Sequence, residues 1–185
     1  MLSNTNSHPN QRGIFDYIES NQWCKVQMYA FIHKKDISKH PAVMHYACFH
    51  HPSLQVIKSL YNAYPKAISE KDDKGNLPLH TACTRGCSPS VIKFLLKKYP
   101  QAALKTEMND RNTFLLACRS YLWNHKYSQQ KWNIANKDLL EVLQILSTAL
   151  PGSYIIKEDS DEMTPLDYLY ETKAIPSVVR FVLHL

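Results

Sequence analysis

The sequence predicts an all-α solenoid, in which short helix–turn–helix units stack behind an N-terminal helical cap. Three observations predict this class. Apolar residues recur at helical spacing in short segments, prolines stand at the starts and ends of those segments, and the pattern returns every 35 residues. Periods of about 20 to 50 residues are typical of solenoids, whose units bury their apolar faces only by stacking.

The clearest unit runs from Gly75 to Ala103. Its first helix is predicted to begin at Pro78, because the ring fixes φ and the missing N–H would be unpaired in a first turn. Gly86 is predicted to end that helix, since glycine readily adopts left-handed backbone angles. Pro100 is predicted to end the second helix. The apolar residues of that second helix share one face: Val91, Ile92, Leu95 and Leu96.

The start of the chain is predicted to form the cap. Residues 1–12 are polar and are expected to be disordered. Residues 13–35 contain two short apolar segments, which we expect to fold as a helix pair that covers the end of the stack. The expected core residues of this cap are Ile14, Phe15, Ile18, Val26, Tyr29 and Phe31.

Matched residues place the other units. His45 and His80 are 35 residues apart, as are Cys48 and Cys83, and Cys83 and Cys118. Chance does not explain the repetition of one interval. The predicted units span residues 36–71, 72–106, 107–157 and 158–185.

The third unit is longer than the others. Pro100 and Pro151 end equivalent helices but are 51 residues apart, which leaves an insertion of 51 − 35 = 16 residues. The polar and aromatic composition of residues 120–136 places the insertion there, between the two helices of the unit.

Composition limits the class of protein. The formal net charge of +6 favours an acidic partner, but it is too small to indicate nucleic acid by itself. The five cysteines are odd in number and three recur at one repeat position, which favours buried thiols in a reducing compartment. No secretory signal and no apolar run of about 18 residues is found, so we expect a soluble cytoplasmic or nuclear protein without membrane contact.

The repeated unit resembles the ankyrin-repeat family. The family's T-P-L-H-x-A box is matched by residues 77–82, LPLHTA, and more weakly by residues 42–47, AVMHYA. The last unit has TPLDYL at residues 164–169, whereas the third keeps only Ala117 and Cys118. The resemblance covers residues 36–185 and implies an all-α ankyrin-type fold and a non-enzymatic role in protein binding.

The chain also departs from the family. Its period of 35 exceeds the usual value of roughly 33, a variant that resembles algal, diatom-type ankyrin proteins. Leu77 and Ala42 replace the threonine that caps the first helix, which should cost each helix start about 1 kcal/mol.

Two histidine–cysteine pairs have the spacing of zinc ligands. His45 and Cys48 are three residues apart, as are His80 and Cys83. The repeat explains the same spacing, with histidine in a hydrogen-bond network at the helix start and cysteine as a small buried side chain. We therefore predict no metal site. With four glycines and no phosphate-binding motif in the chain, we also predict no cofactor and no enzymatic activity.

A binding surface is the remaining prediction. In the ankyrin family the concave face is formed by the turn tips and by the residues that end the first helix of each unit. Carried over to this chain, the helix residues are Phe49, His50, Thr84, Arg85, Arg119, Ser120, Tyr170 and Glu171, and the tip residues are Ser38, Lys39, Asp73, Lys74 and Asn76. Aromatic and arginine side chains are typical anchors of protein interfaces.

The insertion suggests a second surface. Tyr121, Trp123, Tyr127 and Trp132 alternate with basic residues, as in proteins that bind single-stranded nucleic acid. The favoured interpretation is that Tyr121 and Trp123 extend the first helix and pack on a neighbouring unit, so nucleic acid is the weaker hypothesis.

The end of the chain suggests a third surface. The second helix of the last unit ends in FVLHL at residues 181–185, without a polar cap. We expect an exposed apolar end that favours dimerisation or docking to a scaffold.

Overall fold

A computed structural model describes residues 13–126, 136–171 and 174–185. These residues fold into α-helices and short 3-10 turns, and no strand occurs among them. The helices are α1 (Ile14–Glu19), α2 (Trp23–Ile32), α3 (Lys34–Ile37), α4 (Val43–Phe49), α5 (Leu54–Ala63), α6 (Pro78–Arg85), α7 (Pro89–Lys98), α8 (Thr113–Lys126), α9 (Asn136–Ser147), α10 (Gly152–Ile155), α11 (Pro165–Glu171) and α12 (Pro176–Leu183). The predicted all-α solenoid is confirmed.

The helices stack in two layers. The first layer contains α1, α4, α6, α8 and α11, each in contact with the next, and the second contains α2, α5, α7, α9 and α12 in the same order. A continuous core fills the space between the layers. Cys48, Cys83 and Cys118 are all buried in it, so the repeated cysteine is a small core side chain as predicted.

Proline and glycine lie at helix ends, as the sequence predicts. Pro78 is in the first turn of α6, and Gly86 ends that helix with φ 66° and ψ 47°. His51, the residue 35 positions earlier, also has a left-handed backbone, with φ 53°. α7 ends at Lys98, and Pro100 begins a 3-10 turn that runs to Leu104.

The third unit lengthens its first helix. α8 has 14 residues, whereas the equivalent α6 has 8. Tyr121 and Trp123 therefore lie on an extension of the first helix, and their predicted packing on a neighbouring unit concerns side chains outside the described part of the structure. Tyr127 and Trp132, predicted for the nucleic-acid surface, lie outside the described residues.

The cap differs from its prediction at one aromatic residue. α1 and α2 form the expected pair, with Ile14, Ile18 and Val26 buried. Phe31, predicted to be core, is 78% exposed, because it lies on the side of α2 opposite Val26 and Ala30, the buried residues that face the stack.

Equivalent turns precede α6, α8 and α11. Each closes with a backbone hydrogen bond across five residues: from Asp72 to Asn76, from Glu107 to Arg111, and from Asp159 to Met163. The fourth residue of each turn has a positive φ, which is 76° at Gly75, 56° at Asp110 and 60° at Glu162. The turn thus requires a left-handed residue, and glycine supplies it only in the second unit.

Replacing Glu162 by glycine is expected to stabilise the protein by about 0.5–1 kcal/mol. Left-handed backbone costs an ordinary residue about 1–2 kcal/mol, part of which is offset by the greater freedom of glycine in the unfolded chain. The Glu162 side chain is exposed, so little packing is lost. Urea unfolding measures the change. Glu162→Ala is the matched control, since it removes the charge but keeps the strain; equal stabilisation by both substitutions would contradict the explanation.

Candidate functional site

The repeated histidine joins the start of its own helix to backbone further along the chain. His80 Nδ1 accepts a hydrogen bond from the Leu77 N–H at 3.0 Å, and Nε2 lies 2.8 Å from the Lys105 carbonyl oxygen. Because Nδ1 accepts, the proton must be on Nε2, which donates to Lys105. The His80 side chain therefore caps the start of α6. It takes the role of the threonine side chain that is usual in ankyrin repeats at the position of Leu77.

His45 forms only one of the two hydrogen bonds that His80 forms. Its Nε2 lies 2.9 Å from the Asn76 carbonyl oxygen, but its buried Nδ1 has no hydrogen-bond partner among the described residues. The reason is the backbone before each helix: Leu77 is extended, with ψ 160°, whereas Ala42 is helical, with ψ 0°. Burial lowers the pKa of both His45 and His80, so both are neutral at physiological pH.

The histidine–cysteine spacing is thus explained by the repeat. The cysteines are in the core, and burial raises the pKa of Cys83 and Cys118. Both ring nitrogens of His80 and the Nε2 of His45 lie against backbone groups instead. Within the described ranges, no three His, Cys, Asp or Glu side chains come together as metal ligands.

A buried ion network joins the turns of the third and fourth units, at residues 107–111 and 159–163. Arg111 Nε donates to Asp159 at 2.7 Å, and Arg111 Nη2 donates to Asp161 at 2.5 Å. The Tyr168 hydroxyl donates to the same Asp159 oxygen at 2.7 Å, and Glu107 lies 3.5 Å from Arg111. The Asp159 side chain is completely buried. We interpret the network as structural, because the Asp159 carboxylate is occupied by Arg111, by Tyr168 and by the backbone of its own turn.

An open groove of about 340 Å³ lies on the surface of the second unit. It is bounded by the turn before α6, by the outer side of α6, and by the end of α4. Its lining residues are Phe49, Asp72, Asp73, Lys74, Asn76, Thr81, Thr84 and Arg85. Six of the eight are predicted site residues, so the structure brings them together in one place.

Arg85 is fixed at one end of the groove. Its guanidinium carbon lies 3.9 Å from the centre of the Phe49 ring, and its Nε donates to the Phe49 carbonyl oxygen at 3.3 Å. Phe49 is 47% exposed although it is a large apolar side chain. Neither Nη nitrogen of Arg85 has a partner among the described residues. The arrangement presents a stacked guanidinium whose outer nitrogens are available to a ligand.

Most of the acidic charge of the turn is already engaged. Asp72 Oδ1 accepts hydrogen bonds from the backbone N–H groups of Lys74 and Asn76, and Oδ2 accepts one from the Asn76 side chain. The charges still available to a ligand in the groove are those of Arg85, Lys74 and Asp73. Their sum is positive.

The other predicted residues are more dispersed. His50 is half-buried against Tyr46 and Phe49, with ring centres 5.0 and 5.5 Å apart. Arg119 is half-buried, and the Tyr121 and Trp123 side chains lie outside the described part of the structure. Tyr170, Glu171, Ser38 and Lys39 are exposed, away from the groove lining.

Ser120 was predicted to be on the surface, and this is wrong. It is 3% exposed and lines a small internal space with Leu139 and Val142 of α9. The equivalent residue, Arg85, is the last of α6, whereas α8 continues for six residues beyond Ser120 and α9 packs against it. The longer helix buries this position.

Two lining residues were absent from the prediction. Thr81 lies one helical turn before Arg85 on α6, and Asp72 begins the turn. The i, i+3, i+4 spacing of Thr81, Thr84 and Arg85 was a signal that could have identified Thr81.

The match to known families covers the part of the chain that contains the groove. Residues 44–96 match the family described as ankyrin repeats, many copies. This stretch of the chain is therefore similar to the ankyrin repeats of that family. Every lining residue of the groove is within the matched range. No curated protein matches the chain.

Ankyrin repeats generally mediate protein–protein interaction, and the family is typically non-enzymatic. Among the residues that the structure describes, no helix is both long and apolar enough to span a membrane.

Proposed function

We propose that this ankyrin-repeat chain is a non-enzymatic binding module, and that the groove beside Phe49 and Arg85 receives an acidic segment of a protein partner. One observation carries the proposal: a guanidinium that is held on an aromatic ring but whose Nη nitrogens have no partner among the described residues. A carboxylate binds such a fork through two parallel hydrogen bonds.

The geometry favours binding because Arg85 is already ordered. An unrestrained arginine loses rotamer freedom when it binds a ligand, which costs about 0.5–1.5 kcal/mol. Stacking on Phe49 and the hydrogen bond to its carbonyl reduce that loss before the partner arrives. The exposed part of the Phe49 ring adds apolar area next to the charge, the combination typical of interface anchors.

The available charges favour an acidic partner. Arg85 and Lys74 outnumber the free Asp73, since Asp72 is engaged within the turn. Weakening of binding with added salt is therefore expected, because the contacts are at the surface.

Affinity capture from cells that express the protein tests this proposal. Arg85→Glu is expected to reduce partner recovery about tenfold or more, because it places a carboxylate where the partner's carboxylate would bind. Arg85→Lys keeps the charge but loses the fork, and should give an intermediate loss. Thermal melting establishes that each variant is folded.

Lys93→Glu is the matched control. Lys93 is exposed on α7, in the second layer, and does not line the groove. The substitution makes the same change in sign of charge on the other side of the repeat. The proposal would be contradicted if Arg85→Glu recovered as much partner as wild type does. It would also be contradicted if Lys93→Glu lost as much partner as Arg85→Glu does.

A further inference from the structure

The cap helix α2 carries an exposed apolar stripe. Met28 is 62%, Phe31 78% and Ile32 62% exposed. These residues have the i, i+3, i+4 spacing that aligns side chains along one face of a helix. Cys24, one turn earlier, is also exposed. Together they form what we call the α2 stripe: Cys24, Met28, Phe31 and Ile32.

The described part of the fold does not pack on the stripe. α2 contacts α1, α3 and α5, and its buried residues are Val26 and Ala30. The α2 stripe lies on the opposite side of the helix from these two residues. Scattered exposed apolar residues need no explanation, whereas three large ones on one face indicate a contact surface.

Three of the four charged residues on α2 and α3 are basic. Lys25 on α2, and Lys34 and Lys35 at the start of α3, are all exposed. The carboxylate on these two helices belongs to Asp36, which accepts a hydrogen bond from Tyr29 at 2.5 Å and lies 3.7 Å from Lys39. A molecule that binds the stripe therefore contacts apolar side chains at its centre and positively charged lysines at its edge.

The exposed area of the stripe distinguishes between a single helix and a second copy of the chain as its ligand. Its three large side chains expose roughly 400 Å² of surface, within the range of the largest patch on an ordinary monomer. A stable dimer interface buries about 800 Å² on each partner. The area therefore fits a single helix better than a second copy of the chain.

We infer that the α2 stripe is a second docking site, which binds an amphipathic helix of a partner protein through apolar residues on one face and acidic residues along its edges. This inference is independent of the groove at Arg85. The apolar face of the ligand covers Met28, Phe31 and Ile32, and its carboxylates pair with the lysines at the edge.

A labelled form of the full chain provides the assay. Cys24 is exposed, whereas Cys48, Cys83, Cys87 and Cys118 are buried, so a thiol-reactive, environment-sensitive dye is expected to label Cys24 selectively. The probe ligand is a synthetic helical peptide of about 18 residues, with leucine along one face and glutamate on the others. A second peptide has lysine in place of every glutamate.

The acidic peptide is expected to shift the dye emission to shorter wavelength on saturable binding, with an affinity that falls as salt is added. Phe31→Ser with Ile32→Ser should weaken binding at least tenfold. Lys34→Glu with Lys35→Glu should weaken it several-fold. The matched control is Ile156→Ser, which removes an isoleucine that is 72% exposed elsewhere, and it should bind like wild type.

Other outcomes would overturn the inference. If the lysine peptide bound as tightly as the acidic peptide, the lysines at the edge of the stripe would have no role in binding. A dye shift with vesicles of phosphatidylcholine and phosphatidylserine, but not with the acidic peptide, would assign the stripe to a membrane surface. A dimer in sedimentation that Phe31→Ser with Ile32→Ser dissociates would assign it to a second copy.

Discussion

Replacement of Arg111 by alanine is expected to lower the free energy of unfolding by about 3 kcal/mol, because it leaves the completely buried Asp159 carboxylate without its cationic partner. Loss of one member of a buried ion pair costs about 3–5 kcal/mol. The lower value is expected here, since Asp159 retains hydrogen bonds from Tyr168 and from the backbone N–H groups of Asp161 and Met163. Urea unfolding at neutral pH measures the change.

The same substitution should increase sensitivity to acid. Burial by itself raises the pKa of Asp159, but the hydrogen bonds from Tyr168 and Arg111 outweigh it and hold the pKa below the usual 3.8. A carboxylate with a lowered folded pKa contributes stability above the unfolded pKa, and this contribution is lost as the pH falls through the folded value. Without Arg111 the pKa of Asp159 is higher, so acid unfolding should begin at higher pH.

Lys157→Ala is the control for Arg111. Lys157, two residues before the turn that begins at Asp159, pairs with Asp110, but both side chains are about half exposed. Exposed ion pairs contribute about 0–1 kcal/mol, so a small change is expected. Equal losses for Arg111→Ala and Lys157→Ala would show that the buried network has no special role.

Replacement of His80 by alanine is expected to cost about 2–4 kcal/mol. It removes the acceptor for the Leu77 N–H and the donor to the Lys105 carbonyl, both at a buried helix start. Each buried polar group left without a partner costs about 1–3 kcal/mol. Urea unfolding measures the loss. His184→Ala is the control, because His184 is exposed at the end of the chain.

Stability should also fall as the pH is lowered below about 6.5. Burial lowers the pKa of His80 and His45 in the folded state, whereas in the unfolded chain both titrate near 6.5. The unfolded state therefore binds more protons below that pH, and the equilibrium moves toward it. His80→Ala should reduce this dependence. A wild-type urea midpoint that stays constant from about pH 7.5 to about pH 5.5 would contradict the assignment of neutral histidines.

Much of the fold could be predicted from local residue chemistry repeated at a fixed interval. Pro78 and Gly86 indicate where α6 begins and ends, and the interval of 35 between Cys48, Cys83 and Cys118 places the same core position in three units. Each of these predictions depends on a residue whose backbone or size preference is strong in any context.

The site could be predicted only in part, because it depends on contacts between units. The repeat register identifies Phe49 and Arg85 as surface residues, but the stacking of one on the other joins residues 36 positions apart. Ser120 was placed wrongly because the extension of α8 changes what covers that position. Phe31 was placed wrongly because an apolar residue on a helix does not indicate which side has a neighbour.

The most direct test of the proposed groove is site-specific photo-crosslinking in cells. A benzophenone amino acid at Thr84, exposed in the groove, is compared with the same residue at Lys97, exposed on the opposite layer. The proposal predicts a crosslinked partner from Thr84 that Arg85→Glu removes, and none from Lys97. A partner crosslinked from Lys97 but not from Thr84 would contradict it.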